Sequence, residues 1–352
     1  MSRKLLSYTA LGLILGNAAI ADVPKVAVDI APVHSLVSRV MEGVGSPKLI
    51  IPAGASPHEY SLRPSEAKSL QDADMVIWMG EDLAPWMENS IEKLAKNAEV
   101  ITLLEASETK LLDFREGALF EEHDHGDHDD HDDHDDHDKD HDDHDDHDDK
   151  DHDDHDDHDD HDKDHDDHDD HDDHDDHAGH DHGEHDPHAW LSIENAQTWL
   201  NLVAGKLSAA DPENAGVYFG NAAAARSEIE ELSKEVNSIL DPVRGRSFVV
   251  FHDAYQYFET SFDFPASGAI SLGDATDPSA SRIAEIQGRV REEGINCVLS
   301  EPQYNPNLVE TVLEGTDAKT GVIDPLGVNL EPGSKLYGDL IRNMAKSLAG
   351  CL

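Results

Sequence analysis

The chain has 352 residues and a formal net charge of −51, with 77 Asp and Glu against 26 Lys and Arg. This acidic excess argues against a nucleic acid partner, because the phosphate backbone attracts basic surfaces. The length allows two ordinary domains once a leader and one low-complexity tract are set aside.

The first 21 residues have the pattern of a secretory signal peptide. A basic start at Arg3 and Lys4 precedes a mostly apolar run, and the Ala-Ile-Ala at 19–21 fits the small-residue cleavage rule. A membrane anchor needs ~20 unbroken apolar residues, and polar residues interrupt this run. We therefore predict an exported protein whose mature chain begins near Asp22.

Strands and helices alternate after the leader, which predicts a parallel α/β sheet. The predicted strands cover 25–30, 48–51, 75–79 and 100–104, and the predicted helices cover 35–42, 64–73 and 88–96. A loop over 52–60, which contains His58 and Glu59, follows the second strand. Ligands bind beyond the carboxyl ends of strands in such sheets, so this loop is a candidate binding segment.

A tract from His123 to His185 repeats the unit His-Asp-Asp almost without interruption. Residues 121–186 contain 38 acidic residues and 3 Lys, a charge of −35, and the tract holds 21 His. Its largest apolar side chain is Ala178, so it cannot bury a core and we predict disorder without a ligand.

The composition of the tract indicates metal collection. Imidazoles beside carboxylates offer many individually weak sites for Zn²⁺, Cu²⁺ or Ni²⁺. The alternative, a solvated acidic spacer, does not explain the His content. Calcium is disfavoured, because the loop pattern with a central Gly and a terminal Glu is absent and His suits a hard cation poorly.

A long helical pattern follows the tract. One helix is predicted over 192–207, and the helix-start signal Asp-Pro-Glu at 211–213 opens about 29 further helical residues, or ~43 Å if continuous. We interpret the second helix as a rod between two lobes, with a longer surface helix as the alternative. The predicted organisation is an N-terminal lobe over 22–210 that includes the tract, a linker helix over 211–241 and a C-terminal lobe over 242–352.

The C-terminal lobe repeats the alternating pattern. Its predicted strands cover 248–251, 269–272, 296–300 and 320–323, and its helices cover 279–293, 307–313 and 334–348. Polar residues again follow strand ends, at His252, Glu301 and Asp324. Glu301 stays open between a functional role and a hydrogen bond to a neighbouring loop.

Cys297 and Cys351 are the only two cysteines of the chain. In an oxidising compartment they can pair, and the bond would close a loop of about 55 residues, worth roughly 4 kcal/mol on the chain-entropy model. A Cys-only zinc site needs more thiolates than two, so we predict a structural disulfide.

Three His outside the tract stand at comparable positions, His58 and His252 after strands and His188 at the entry to a helix. Zinc commonly takes four ligands in a tetrahedron, and three imidazoles leave one position for a carboxylate or water. Asp324 and Glu59 are the candidates for that fourth position. His34, near the start of the first helix, is interpreted as structural.

The chain resembles the periplasmic zinc-binding receptors of ABC importers, often called zinc uptake protein A, over essentially all of residues 22–352. The motifs that carry the resemblance are Ser-Pro-His-Glu-Tyr-Ser-Leu-Arg-Pro at 56–64, His-Asp-Pro-His-Ala-Trp-Leu at 185–191, Phe-His-Asp-Ala-Tyr at 251–255, Ser-Glu-Pro-Gln at 300–303 and Asp-Pro-Leu at 324–326. The resemblance implies an α/β fold of two small parallel-sheet lobes, flanked by helices and joined by one long rigid helix, with metal in the cleft between them.

The resemblance also implies a ligand set. His58, His188 and His252 match the three imidazole ligands, Asp324 matches the carboxylate of the C-terminal lobe, and Glu59 matches a position that approaches the metal in some members. Manganese-binding relatives place a Glu where this chain has His252, so the imidazole indicates Zn²⁺. The implied partner is an ABC permease of the inner membrane, and we expect a monomer.

The leading hypothesis is therefore a periplasmic receptor that captures Zn²⁺ for import and performs no covalent chemistry. A stand-alone zinc store or chaperone that acts mainly through the tract is the alternative. A zinc hydrolase is a third class, since three His and an open position also describe catalytic zinc, but a His-Glu-x-x-His helix is absent. A zinc-dependent adhesin stays open.

Overall fold

The computed structural model describes residues 23–115, 185–271, 278–304 and 307–352. The predicted signal peptide and the tract lie outside these residues, apart from the last His of the tract. Within the described ranges, no helix combines the length and apolar character that a membrane span requires.

The N-terminal lobe is built on a four-stranded parallel sheet in the order β2-β1-β3-β4. Its strands are β1 (Val26–Val28), β2 (Lys48–Leu49), β3 (Met75–Trp78) and β4 (Glu99–Thr102), and its helices are α1 (Ala31–Val40), α2 (Pro64–Gln71), α3 (Pro85–Leu94) and α4 (Ile193–Ala210). The inner strands β1 and β3 are buried and wholly apolar, as strands covered on both faces must be.

The C-terminal lobe has the same topology, with a second parallel sheet in the order β6-β5-β7-β8. Its strands are β5 (Phe248–His252), β6 (Gly268–Ser271), β7 (Cys297–Ser300) and β8 (Lys319–Val322), and its helices are α6 (Gln256–Phe262), α7 (Ala280–Glu292), α8 (Asn307–Leu313) and α9 (Leu336–Cys351). The predicted bond between Cys297 and Cys351 is confirmed, and it joins β7 to α9 with 5.8 Å between the Cα atoms.

Helix α5 (Ala215–Leu240) joins the lobes; its 26 residues span about 39 Å at 1.5 Å per residue. It packs against α1 and α4 of the N-terminal lobe and against α9 of the C-terminal lobe. One hydrophobic core runs through both lobes as a result, and a smaller cluster lies under α7 and α8. The predicted fold class, two parallel-sheet lobes joined by a long helix, is confirmed.

The element boundaries differ from the predictions at helix starts. Helices α1 and α3 begin three or four residues earlier than predicted, because Pro32 and Pro85 lie in their first turns, where a missing N–H costs nothing. The first turn predicted for α5 is a separate 3-10 turn over Pro212–Asn214. Helix α6 was not predicted, since it is only seven residues long and rich in aromatic residues with modest helix propensity.

Direct hydrogen bonds also connect the lobes. The indole N–H of Trp190 donates to the carbonyl of Pro325 at 2.9 Å, and the hydroxyl of Tyr337 donates to the carbonyl of Trp190 at 3.1 Å. The backbone N–H of Tyr337 donates to Ser35 Oγ at 2.9 Å. The two lobes therefore meet through packed side chains beside the cleft.

Candidate metal centre

The fold brings His58, His188 and His252 together between the lobes. His58 lies in the loop after β2, His188 lies just before α4, and His252 is the last residue of β5. The ring centroids are 5.7 Å apart for His58 and His188 and 5.2 Å apart for His188 and His252.

The loop that carries His58 is held by the two helices that follow it. The indole N–H of Trp86 in α3 donates to the carbonyl of Pro57 at 2.8 Å. The hydroxyl of Tyr60 donates to the Glu66 carboxylate in α2 at 2.9 Å, and the same carboxylate caps the helix by accepting from the N–H of Arg63. Contacts on both sides of His58 thus fix the loop.

A carboxylate orients each of the other two imidazoles. Nδ1 of His188 donates to Asp186 Oδ1 at 2.7 Å, and Nδ1 of His252 donates to Glu301 Oε1 at 2.6 Å. A carboxylate accepts hydrogen bonds, so these contacts assign the ring hydrogen to Nδ1 in each neutral imidazole. Nε2 is therefore the nitrogen that offers a lone pair, the arrangement usual for metal-binding His.

The two lone-pair nitrogens face one another across the cleft, with 3.4 Å between Nε2 of His188 and Nε2 of His252. Two ligands of a tetrahedral zinc ion with bonds of 2.0–2.1 Å are separated by about 3.3–3.4 Å. The spacing between these two nitrogens therefore matches one edge of a zinc tetrahedron.

The three imidazoles line one small cavity. Its other lining residues are Ser56, Pro57, Trp190, Glu301, Gln303, Tyr304, Pro325 and Leu326, so both lobes contribute. Its volume of about 20 Å³ gives room for about one water-sized occupant. A space of this size is that of a single ion.

The charge around the cavity favours a cation. Asp186 and Glu301 are 2% and 3% exposed, and the described lining residues include neither Lys nor Arg. Burial and the neighbouring Glu301 carboxylate raise the pKa of Tyr255 well above its ordinary value. The acidic side chains beside this cavity therefore favour a cation over an anion.

The two candidates for the fourth ligand lie outside the set of cavity-lining residues. Asp324 is half-buried, and its carboxylate accepts from the backbone N–H groups of Leu326, Gly327 and Val328 at 2.7–3.0 Å. Glu59 is exposed on the loop beside His58. Asp324 lies next to the cavity, since the side-chain amide of the lining residue Gln303 donates to Asp324 Oδ1 at 3.4 Å.

Sequence reasoning missed Asp186 and left Glu301 open. Glu301 accepts a hydrogen bond from His252, the last residue of β5. Asp186 could have been found from its position two residues before His188, within reach of that ring. His34 is buried in α1 with Nε2 3.3 Å from the carbonyl of Pro47, and burial lowers its pKa, in agreement with the structural role predicted for it.

Two parallel α/β lobes that share a core, one joining helix and an ion-sized cleft between them define the helix-joined class of solute-binding proteins. The comparison with protein families makes the assignment specific. The chain belongs to the family described as zinc-uptake complex component A, periplasmic, whose model matches residues 26–351.

Relatives cover nearly the whole chain. The high-affinity zinc uptake system protein ZnuA of Paracoccus denitrificans is 45% identical over 350 residues, which is 98% of each chain. Its counterpart in Brucella abortus is 44% identical over 337 residues, covering 96% of this chain and 94% of the relative. A crystal structure of ZnuA superposes with a TM-score of 0.67 at 18% identity, covering 94% of this chain and 99% of the other, and shows the same fold.

Proposed function

We propose that this chain is a periplasmic receptor that captures one Zn²⁺ in the cleft between its lobes and delivers it to an ABC-type permease of the inner membrane. The relatives' description as high-affinity zinc uptake proteins supports the import role. The observation that carries the proposal is the 3.4 Å separation of two oriented imidazole nitrogens.

The proposed ligands are His58, His188 and His252. Imidazole nitrogen suits Zn²⁺ better than the harder Mn²⁺, and three His with one further ligand complete a tetrahedron. Asp324 is the candidate of the C-terminal lobe for the fourth position, with Glu59 and water as alternatives. Zn²⁺ is then the cargo that the protein carries.

The small volume of the cavity supports a receptor role without covalent chemistry. Catalytic zinc needs an open coordination position that a substrate can reach. The cavity of about 20 Å³ gives a substrate no such room. We propose a monomer, since each chain contains the complete cleft.

The test is a zinc competition titration against a chelator, with metal content measured after dialysis, on the mature chain with and without residues 123–185. The intact chain should bind one Zn²⁺ tightly and several weakly, and the weak class should fade as the pH falls through ~6.5, where unperturbed imidazoles gain a proton. The shortened chain should retain the single tight site. Loss of the tight site with the tract would make the tract the receptor and favour the zinc-store alternative.

A further inference from the structure

Arg115 lies at the end of a segment that leaves the N-terminal lobe and crosses to the C-terminal lobe. We name residues 110–115 the crossing segment. Its Leu112 N–H is 2.9 Å from the hydroxyl of Tyr257 in α6, and that hydroxyl donates to the carbonyl of Asp186 at 3.0 Å. The N–H of Asp186 in turn donates to the carbonyl of Leu112 at 2.8 Å. The crossing segment is thus attached to the residues that lead into His188.

The guanidinium of Arg115 lies between two carboxylates of the C-terminal lobe. Its Nε is 3.1 and 3.0 Å from the two oxygens of Asp253, and one terminal nitrogen also contacts Asp253. The terminal nitrogens donate to the two oxygens of Glu259 at 2.7 and 3.1 Å. The planar guanidinium of Arg115 therefore forms hydrogen bonds with both carboxylates at once.

This cluster is buried. The side chain of Arg115 is 16% exposed, and those of Asp253 and Glu259 are 6% and 5% exposed. Glu259 also accepts from the N–H of Ala266 at 3.0 Å, so its position in α6 is fixed from both sides. A buried cluster with this many directional bonds allows few alternative arrangements, whereas an exposed ion pair would allow many.

The position of Asp253 connects this cluster to the metal centre. Asp253 directly follows His252, the ligand at the end of β5, and Glu259 lies in the helix after it. The crossing segment therefore contacts Asp186, two residues before His188, and also Asp253, the residue after His252. A binding site needs its ligands held within about 0.5 Å of the productive geometry.

We propose that Arg115 is a positioning residue for zinc binding. It fixes the end of β5, where His252 lies, against the segment that leads into His188, and so sets the 3.4 Å spacing of the two Nε2 atoms. The inference rests on the proposed zinc-binding role of the three His. Arg115 itself does not touch the metal in this proposal.

Charge and positioning predict opposite effects when Arg115 is replaced. Removing a cation near a site for Zn²⁺ should strengthen binding if charge alone matters, because the local potential becomes more negative. Removing a positioning contact should weaken binding and speed dissociation. Whether zinc affinity rises or falls therefore distinguishes a charge effect of Arg115 from a positioning effect.

The experiment measures zinc affinity by chelator competition and zinc release by stopped flow in the full mature chain. Arg115→Met should weaken tight binding by about 10–100-fold, the range typical of residues that support metal ligands, with faster release. Arg115→Lys keeps the charge and loses the fork, and it should show a smaller loss in the same direction. The d–d spectrum of bound Co²⁺ should change in both, which a purely structural role would not produce.

The matched control is Arg342→Met, which removes a partly exposed Arg that bonds to Glu235 and Asp339. It should leave zinc affinity, release and the Co²⁺ spectrum as in the parent. If Arg115→Met fails to fold by circular dichroism, Arg115→Lys decides, since it leaves a cation between the two acids.

Parent-like or tighter binding in the folded Arg115 variants would overturn this proposal and leave the zinc receptor intact. If the unmodified mature chain has no tight zinc site, the proposed function itself is refuted.

Discussion

The two lobes share one strand order but supply the residues of the candidate metal centre differently. In the C-terminal lobe, His252 is part of inner strand β5, and its partner Glu301 directly follows the adjacent strand β7. In the N-terminal lobe, His58 and His188 both lie outside the sheet, one in a loop and one in the segment before α4. Regular structure fixes one half of the site and loop contacts fix the other.

The disulfide sharpens this difference, because it lies wholly in the C-terminal lobe. It ties β7, which leads to Glu301, to the final helix α9. The N-terminal lobe relies instead on side-chain contacts such as those of Trp86 and Tyr60 around His58. We expect the geometry of the C-terminal half of the site to depend on the sheet that the disulfide ties, and that of the N-terminal half to depend on these side-chain contacts.

The largest effect is expected from removing the disulfide. Replacing Cys297 and Cys351 by Ser should lower the free energy of unfolding by about 4 kcal/mol, because the bond closes a loop with a sequence separation of 54. Urea denaturation of the metal-free protein, oxidised and reduced, measures it. Equal stability with and without the bond would mean that it does not reinforce this lobe.

Replacing the three proposed imidazole ligands should give the next largest effect. His58→Ala, His188→Ala and His252→Ala should each weaken zinc binding by more than ~100-fold, beyond the range typical of supporting residues. The loss should be smallest for His58, because it is less buried than His188 and His252 and water can reach its position. Chelator competition measures each; unchanged affinity in all three variants would remove the metal centre and the proposed function with it.

A smaller effect should follow from replacing the orienting carboxylates. Glu301→Gln and Asp186→Asn should weaken binding by about 10–100-fold, because each amide loses the charge that strengthens the bond to Nδ1. The same competition titration applies, with Glu235→Gln as the matched surface control. Parent-like affinity in both variants would show that sheet and loop packing alone orient the rings.

The smallest effect is expected at the fourth position. Asp324→Asn and Glu59→Gln should each weaken zinc binding by less than any of the three His variants, since water can complete a tetrahedron. Asn is preferred to Ala at 324, because it keeps an acceptor for the N–H groups of Leu326 and Gly327. A loss at Asp324 as large as at His252 would assign it as a metal ligand.

Several elements of the fold followed from local sequence patterns. Apolar runs predicted the buried strands, and the position of His252 after a strand marked it as a candidate ligand. Helix starts were less accurate, because a proline such as Pro32 or Pro85 can occupy a first turn. Helix α6 has only seven residues, too few for its apolar residues to show a helical period.

The sequence by itself determined which groups are available: a tract rich in His, two cysteines in an exported chain and three isolated His at comparable positions. Only the tertiary structure decided which of these meet. It paired Asp186 with His188 and Glu301 with His252. It also placed Nε2 of His188 3.4 Å from Nε2 of His252.

It also turned Asp324 toward its own loop and placed Arg115 between Asp253 and Glu259. The physical reason is that periodicity and propensity act over a few residues. These contacts depend instead on how two sheets, a shared core and a joining helix pack residues that are far apart in the chain.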